Sequence, residues 1–173
     1  MDFLNPEQVL NQIDLKEGMT AADFGCGAGG WALPLAKKLR TGKVYAVDIQ
    51  AEALAALRAK IEMVRANNIR PIQADLTQGL GSSIQSGLLD LVLLTNLLFQ
   101  IEDKDQILKE AKRVLREGGQ LLVTDWKTDS PFGPSEKRIS AAEGLELIEK
   151  AGFQIEKELR AGQYHWALLF HKV

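Results

Sequence analysis

Cysteine and histidine are scarce in this chain, and their scarcity limits the chemistry that it can support. Among 173 residues there are one cysteine, Cys26, and two histidines, His165 and His171. A single thiol excludes an intrachain disulfide and a multi-thiolate metal site, and it is typical of proteins kept in a reducing compartment. Two histidines so placed do not make a zinc ligand set. The sequence therefore predicts no metal site.

The chain also lacks an excess of charge of either sign and any long apolar run. With 21 Lys and Arg against 23 Asp and Glu, its net charge is −2, which gives no general attraction for nucleic acid. Basic residues cluster in 57–70 and 109–116, where a solvated helix surface is the favoured interpretation and an RNA-facing patch a minor one. No segment resembles a membrane span, and residues 1–7 lack the features of a signal peptide. We expect a single cytoplasmic domain comprising residues 1–173.

Strand and helix signals alternate along the chain, which predicts an α/β fold with a doubly wound sheet and helices on both faces. The predicted strands are 20–24, 43–47, 70–74, 89–95, 120–124, 153–160 and 163–171. The predicted helices are 5–13, 31–40, 51–66, 103–116 and 140–151, with Gly118-Gly119 and Gly152 as stop signals for the last two. The last two strands are joined only by Ala161-Gly162, a connection that permits an antiparallel hairpin alone.

Residues 21–30 are typical of a buried strand followed by a glycine-rich turn, and a helix is predicted to begin at Trp31. Glycine has no Cβ and tolerates positive φ, so such a turn can bring bare backbone against a ligand. The spacing matches two motifs that differ only in the third glycine. Gly25, Gly27 and Gly30 satisfy the dinucleotide fingerprint G-x-G-x-x-G, whereas Gly25, Gly27 and Gly29 satisfy G-x-G-x-G.

Two acidic residues help to decide which ligand this turn would bind. Asp23 lies two positions before Gly25, where its carboxylate would repel the pyrophosphate of a dinucleotide. S-adenosylmethionine has no phosphate, and the same carboxylate would attract its sulfonium and ammonium groups. Asp48 ends the next strand, at the distance along the chain where an acid accepts hydrogen bonds from ribose hydroxyls. The pattern favours a cationic nucleoside.

Taken in order, these motifs resemble those of class I S-adenosylmethionine-dependent methyltransferases, and among them the small ubiquinone- and menaquinone-biosynthesis type. The similar segments are 22–29, 47–49, 73–76, 90–99 and 113–119, so the likeness runs nearly end to end. It implies a Rossmann-like seven-stranded sheet of order 3-2-1-4-5-7-6 with strand 7 antiparallel. It also implies S-adenosyl-L-methionine as cofactor, with S-adenosyl-L-homocysteine as product. The cofactor-binding residues that it implies are Asp23, Gly25, Cys26, Gly27, Gly29, Asp48, Ile49, Asp75, Leu76 and Asn96.

The segment after the fourth strand departs from one branch of that family. Methyltransferases acting on amino groups of DNA, and several acting on protein or RNA, carry Asn/Asp-Pro-Pro-aromatic there, whereas this chain reads Asn96-Leu97-Leu98-Phe99. The departure counts against that branch. We expect a small, partly apolar acceptor. Such an acceptor would meet the core, the N-terminal helix (about 5–13) and the loops, or a second subunit, which leaves a homodimer open. Trp126 and Phe132 could line an apolar acceptor pocket, or they could pack their loop against the core.

No catalytic residue is assigned, because methyl transfer from a sulfonium chiefly requires donor and acceptor to be held in line. A base is needed only where the acceptor loses a proton. Three residues are candidates. Asn96 could position a substrate or cap its strand, and Asp125 is expected to be a solvated loop charge that could act as a base. His165 could lie at the entrance to the acceptor site and act as a base. An RNA or protein methyltransferase, a non-catalytic nucleotide-binding module and a dinucleotide oxidoreductase stay open as alternatives.

Overall fold

A computed structural model of the chain describes residues 2–173, in which strands and helices alternate as predicted. The strands are β1 (Thr20–Phe24), β2 (Lys43–Asp48), β3 (Ile69–Gln73), β4 (Leu89–Thr95), β5 (Leu115–Trp126), β6 (Phe153–Leu159) and β7 (His165–Lys172). The helices are α1 (Pro6–Leu10), α2 (Ala32–Lys38), α3 (Ala51–Val64), α4 (Lys104–Val114) and α5 (Ala141–Lys150). Among the described residues, no helix combines the length and apolarity that crossing a membrane requires.

The seven strands form one sheet in the order β3-β2-β1-β4-β5-β7-β6. β1 to β5 pair in parallel, while β7 runs antiparallel to both β5 and β6. This confirms the predicted order and the antiparallel seventh strand. After β1, the strands β2 and β3 are added on one side of it, whereas β4 and the later strands lie on its other side. The carboxyl ends of β1 and β4 therefore border the crevice in which open α/β sheets bind their ligands.

Helices cover both faces of the sheet, and each face has its own apolar core. On one face, α1, α2 and α3 bury residues such as Leu10, Leu35 and Leu57 against small or branched strand residues. On the other face, α4 and α5 contribute residues such as Leu108 and Ile148. Because β4 is covered on both sides, its sequence is almost entirely apolar, as expected of a central parallel strand.

Side-chain caps fix where three of the helices begin. Asn5 Oδ1 accepts a hydrogen bond from the amide of Gln8 (3.2 Å) and starts α1, while Asp103 accepts one from the amide of Gln106 (3.1 Å) and starts α4. Ser140 forms a reciprocal capping box with Glu143 at the start of α5. Each such cap stabilises its helix by about 1 kcal/mol.

The predicted boundary between the fourth helix and the fifth strand is wrong. α4 ends at Val114, and β5 begins at once instead of at residue 120. Gly118 (φ +69°) and Gly119 lie in an irregularity of β5 rather than at a helix terminus, and a Cβ on Gly119 would lie 3.1 Å from the carbonyl oxygen of Leu89. A pair of glycines is an equally good signal for a helix stop and for a strand bulge, and only packing against β4 decides between them.

Asp125 is also placed differently from the prediction. It is not a solvated loop charge but a buried residue of β5. Its carboxylate accepts hydrogen bonds from the amides of Trp126 (2.8 Å) and Phe99 (3.3 Å). Burial raises the pKa of Asp125 to about 6, although these amides act in the opposite direction. The side chain therefore ties the end of β5 to the turn that follows β4.

Candidate active site

The glycine turn after β1 distinguishes the two sequence motifs. Gly25, Gly27 and Gly29 have positive φ (+74°, +52° and +91°), whereas Gly30 does not. A Cβ on Gly25 would lie 2.8 Å from the side chain of Leu97, and one on Gly29 would lie 2.5 Å from that of Leu57. Around Gly27 there is open space. The constrained glycines therefore form G-x-G-x-G, and of these three only Gly27 has open space where a side chain would lie.

This difference predicts opposite outcomes for two neighbouring alanine substitutions. Gly29→Ala should destabilise the fold by about 2–4 kcal/mol, because the new Cβ combines a left-handed backbone with a clash against α3. Gly30→Ala should change the free energy of unfolding by less than about 1 kcal/mol, since neither constraint applies. Chemical denaturation of both variants measures the difference. Equal losses would contradict the assignment of the third glycine to position 29.

Asp23 is fully buried, and neither of its carboxylate oxygens has a hydrogen-bond partner among the described residues. Burial, and secondly the negative charge of Asp48, raise the pKa of Asp23 to about 7, with only the nearby amide of Ala32 acting in the other direction. Native proteins rarely leave a buried polar group unpaired. A cationic ligand would satisfy this carboxylate and remove its repulsion with Asp48.

Asp48 joins the end of β2 to the glycine turn. Its Oδ2 accepts a hydrogen bond from the amide of Gly27 (2.8 Å), and its Oδ1 accepts one from the amide of Gln50 (2.9 Å). Next to it, the amides of Gly25 and Cys26 both donate to the carbonyl of Val47 (2.8 and 2.9 Å). The carboxylate is thus held at a fixed position, and each oxygen can still accept a further hydrogen bond.

A cavity of about 290 Å³ opens beside this turn. Six of the residues predicted to bind the cofactor line it: Gly25, Gly27, Asp48, Ile49, Asp75 and Leu76. Ile49 is 59% exposed at the rim, whereas Leu76 is buried. An apolar ring placed between these two side chains would cover surface that is now exposed to water. The cavity therefore has the form of a nucleoside site, apolar for the base and acidic for the sugar.

Asp75 caps the short 3₁₀ turn Leu76–Gln78 and is oriented by it. Its Oδ1 accepts hydrogen bonds from the amide and the hydroxyl of Thr77 (2.9 and 2.6 Å). These bonds lower the pKa of Asp75 below its usual value, so the group is a carboxylate at neutral pH. Because both bonds involve Oδ1, Oδ2 is left to accept from an amino group in the cavity.

The other four predicted cofactor residues, Asp23, Cys26, Gly29 and Asn96, do not line the cavity. Cys26 is buried, and burial raises the pKa of its thiol, so it fills space and is not a nucleophile. Asn96 adopts φ +50° directly after β4, with its backbone amide bonded to the carbonyl of Thr124 (2.8 Å). Its Oδ1 is buried and has no hydrogen-bond partner within residues 2–173.

Sequence reasoning missed about half of the cavity wall. The missed residues are Gln50, Ala74, Thr77, Leu97, Gln100 and Ile101. Of these, Thr77 had a local signal, because an Asp followed two residues later by Thr is typical of a capping turn. Leu97, Gln100 and Ile101 belong to the turn after β4, and their contact with the glycine turn depends on tertiary packing alone.

The third catalytic candidate, His165, starts β7 opposite Trp126 of β5. The two rings are in contact, with their centroids 3.9 Å apart and their planes inclined by 40°. His165 is 4% exposed, and neither ring nitrogen has a hydrogen-bond partner among residues 2–173. Burial, helped by the positive charges of Arg138 and Lys127, lowers the pKa of His165 to about 4. At neutral pH the imidazole is therefore uncharged and able both to donate and to accept a hydrogen bond.

The loop 127–138 beside His165 is organised around one side chain, Arg138. Its guanidinium donates hydrogen bonds to the backbone carbonyls of Lys127, Thr128, Ser130, Phe132 and Pro134. The loop presents Phe132 to Phe3 and Tyr164, with ring centroids 4.9–5.6 Å apart. It also packs Gly133 on the face of Trp126. An aromatic surface thus borders the ends of β5 and β7.

This fold and this site together define a class of protein, the class I S-adenosylmethionine-dependent methyltransferases. A family model of the methyltransferase domain matches residues 15–160, and the chain belongs to that family. A crystal structure of an S-adenosylmethionine-dependent methyltransferase from Aquifex aeolicus is 28% identical, with a TM-score of 0.90 over 99% of this chain and 91% of that one. The resemblance and the cofactor implied by the sequence motifs are confirmed at the level of the family.

Curated relatives include two demethylmenaquinone methyltransferases. The enzyme of Shouchella clausii is 25% identical over 161 residues, which cover 92% of this chain and 66% of the relative. That of Bacillus mycoides is 26% identical over 128 residues, which cover 73% of this chain and 53% of the relative. This chain thus spans about half to two thirds of the length of these relatives.

Proposed function

We propose that this protein transfers a methyl group from S-adenosylmethionine to a small, partly apolar acceptor. The observation that carries the proposal is the buried, unpaired carboxylate of Asp23 beside the charged Asp48. The two acids repel each other and would repel a phosphate, so a cation is the ligand that relieves both of them. The methyl donor supplies a methyl group already activated by its positive sulfur.

The residues of the chain would contribute mainly binding and alignment. Asp48 is suited to the ribose hydroxyls, and Asp75 to the amino group of the base. Ile49 and Leu76 would hold the base between them, while Asp23 would attract the cationic end of the donor. In-line displacement at carbon depends on the orientation of the two reactants, and rigid placement of this kind is what accelerates it.

Two features support a small acceptor. Relatives of this chain are named as methyltransferases of demethylmenaquinone, which is a small molecule. In addition, the aromatic surface of Phe3, Phe132 and Tyr164, and the N-terminal helix beside it, would cover an acceptor at the carboxyl ends of β4 and β5. Sites for small molecules are commonly lined by aromatic and apolar side chains. Asp125 is buried and each of its oxygens accepts one backbone hydrogen bond, so we assign it a role in holding the turn after β4.

The proposal is tested by following a labelled methyl group. The purified protein is incubated with methyl-labelled S-adenosylmethionine and, separately, with a small-molecule cell extract, bulk tRNA and a protein lysate. We expect label in the small-molecule fraction, and none when Asp23→Asn replaces the wild type. Label in tRNA or protein would support the alternative acceptors. Calorimetry provides the second measurement: no binding of S-adenosylmethionine or S-adenosylhomocysteine at millimolar concentration would refute the proposal.

A further inference from the structure

A second concave site lies at the turn of the β6–β7 hairpin. This hairpin recess has a volume of about 520 Å³ and is bordered by residues 158–163, Asp2, Lys127, His165 and Trp166. The N-terminal segment closes one side, since the amide of Gln163 donates to the carbonyl of Asp2 (2.8 Å). The recess lies at the same edge of the sheet as the glycine turn but beside different strands.

His165 is the feature of this recess that its packing does not explain. Contact with Trp126 accounts for the position of the ring, but it satisfies neither nitrogen. Two nitrogens without partners in the described residues are costly on a buried ring, because each loses its hydrogen bond to water without gaining another. Both nitrogens are covered behind the wall of the recess, so a ligand that displaced this cover would replace one of the lost bonds.

The charges around the recess indicate what kind of ligand this is. Asp2 and Glu158 are acidic, Lys127 and Arg160 are basic, and the numbers of the two signs are equal. The ring itself is uncharged at neutral pH, with a pKa of about 4. The guanidinium of Arg138 is already occupied by loop carbonyls. Neither an anion nor a cation is therefore favoured over a neutral hydrogen-bonding group.

We infer that the hairpin recess anchors the acceptor, and that it takes an uncharged hydroxyl group carried on an apolar body. The hydroxyl would hydrogen-bond to His165. The apolar body would cover the neighbouring rings of Phe3 and Phe132, which are 50% and 38% exposed. This inference rests on the proposed function, because it assigns the second site to the molecule that receives the methyl group.

The position of His165 makes it a positioning residue and not a base. β5 lies between β4 and β7, so the end of β4 and the start of β7 are two strand spacings apart, or about 10 Å. The donor crevice lies between β1 and β4. A hydroxyl bound at His165 is consequently remote from the donor, and it would orient an acceptor whose reacting atom lies closer to β4.

Because the chain has only two histidines, nitrogen-15 NMR of histidine-labelled protein can test this directly, with His171 as internal control. The probes are cyclohexanol and phenol, their methyl ethers, benzylamine and benzoate, each titrated into the protein with and without S-adenosylhomocysteine. The two alcohols should shift the resonances of His165 alone. They should bind at least about tenfold more tightly than the ethers, because a hydroxyl can donate to the unprotonated ring nitrogen whereas an ether oxygen can only accept from the ring N–H. His165→Gln should keep this preference and His165→Phe should lose it.

Several outcomes would overturn the inference. They are equal binding of alcohols and ethers, tighter binding of either charged probe, or a preference that persists in His165→Phe. If that variant does not fold, the nitrogen shifts of the wild type and the affinities of His165→Gln decide alone. If alcohols bind at His165 but S-adenosylhomocysteine does not bind at all, the proposed function is refuted and the alcohol site is retained. If S-adenosylhomocysteine binds but alcohols do not bind at His165, only the alcohol site is refuted.

Discussion

Asp23→Asn is expected to stabilise the ligand-free protein at pH 8 and at the same time to weaken donor binding. In the folded protein the pKa of Asp23 is raised from 3.8 to about 7. Below pH 4 the side chain is protonated in both states, and the substitution changes little. Between pH 4 and pH 7 the unfolded state ionises first, so the wild type loses stability as pH rises. At pH 8 the variant should be more stable by roughly 3–4 kcal/mol.

Urea denaturation of both proteins at pH 5 and pH 8 measures this effect. The matched control is Asp90→Asn, because Asp90 accepts hydrogen bonds from the amide of Thr20 (2.8 Å) and from Arg116 (2.7 Å). Loss of a paired carboxylate should lower stability by about 1 kcal/mol, the opposite sign from Asp23. A gain at Asp23 that did not depend on pH would show that its ionisation is not the cause.

The same carboxylate predicts proton release on ligand binding. S-adenosylmethionine should select the ionised form of Asp23, so binding at pH 6 should release a proton and affinity should weaken by up to about tenfold per pH unit below pH 7. Calorimetry in two buffers with different ionisation heats measures the released proton. In Asp23→Asn the release should vanish, and affinity should fall by about 2–4 kcal/mol, as expected when a buried charge loses its partner.

The sheet could be predicted because its signals are local. The apolar run of β4, the acids that end β1 and β2, and the two-residue link between the last two strands each restrict the topology without knowledge of the rest of the chain. Connections in such sheets obey strong rules of handedness and adjacency. Few topologies then remain, and the family resemblance selects one of them.

What escaped prediction depends on contacts between distant residues. Gly29 and not Gly30 is constrained because Leu57, which belongs to α3, packs against it. The helix expected to end at Gly118-Gly119 stops earlier because those glycines pack against β4. The burial of Asp125 follows from a separate extension of β5 at its carboxyl end, where Asp125 and Trp126 pair with β7. Identical local signals thus led to different structures according to their tertiary neighbours.

Asp48→Ala is expected to weaken cofactor binding by about 1.5–3 kcal/mol, because ribose hydroxyls would lose a charged hydrogen-bond acceptor. The geometry adds a second route to the same loss, since Asp48 also holds the amide of Gly27 (2.8 Å) and thereby the turn itself. A cycle with S-adenosylhomocysteine and its 2′-deoxy analogue separates the two routes. If Asp48 contacts the ribose, the Asp48→Ala variant binding the 2′-deoxy analogue should lose at least 1 kcal/mol less binding free energy than the sum of the losses from the two single changes. If the losses add to within about 0.5 kcal/mol, Asp48 acts only through the turn.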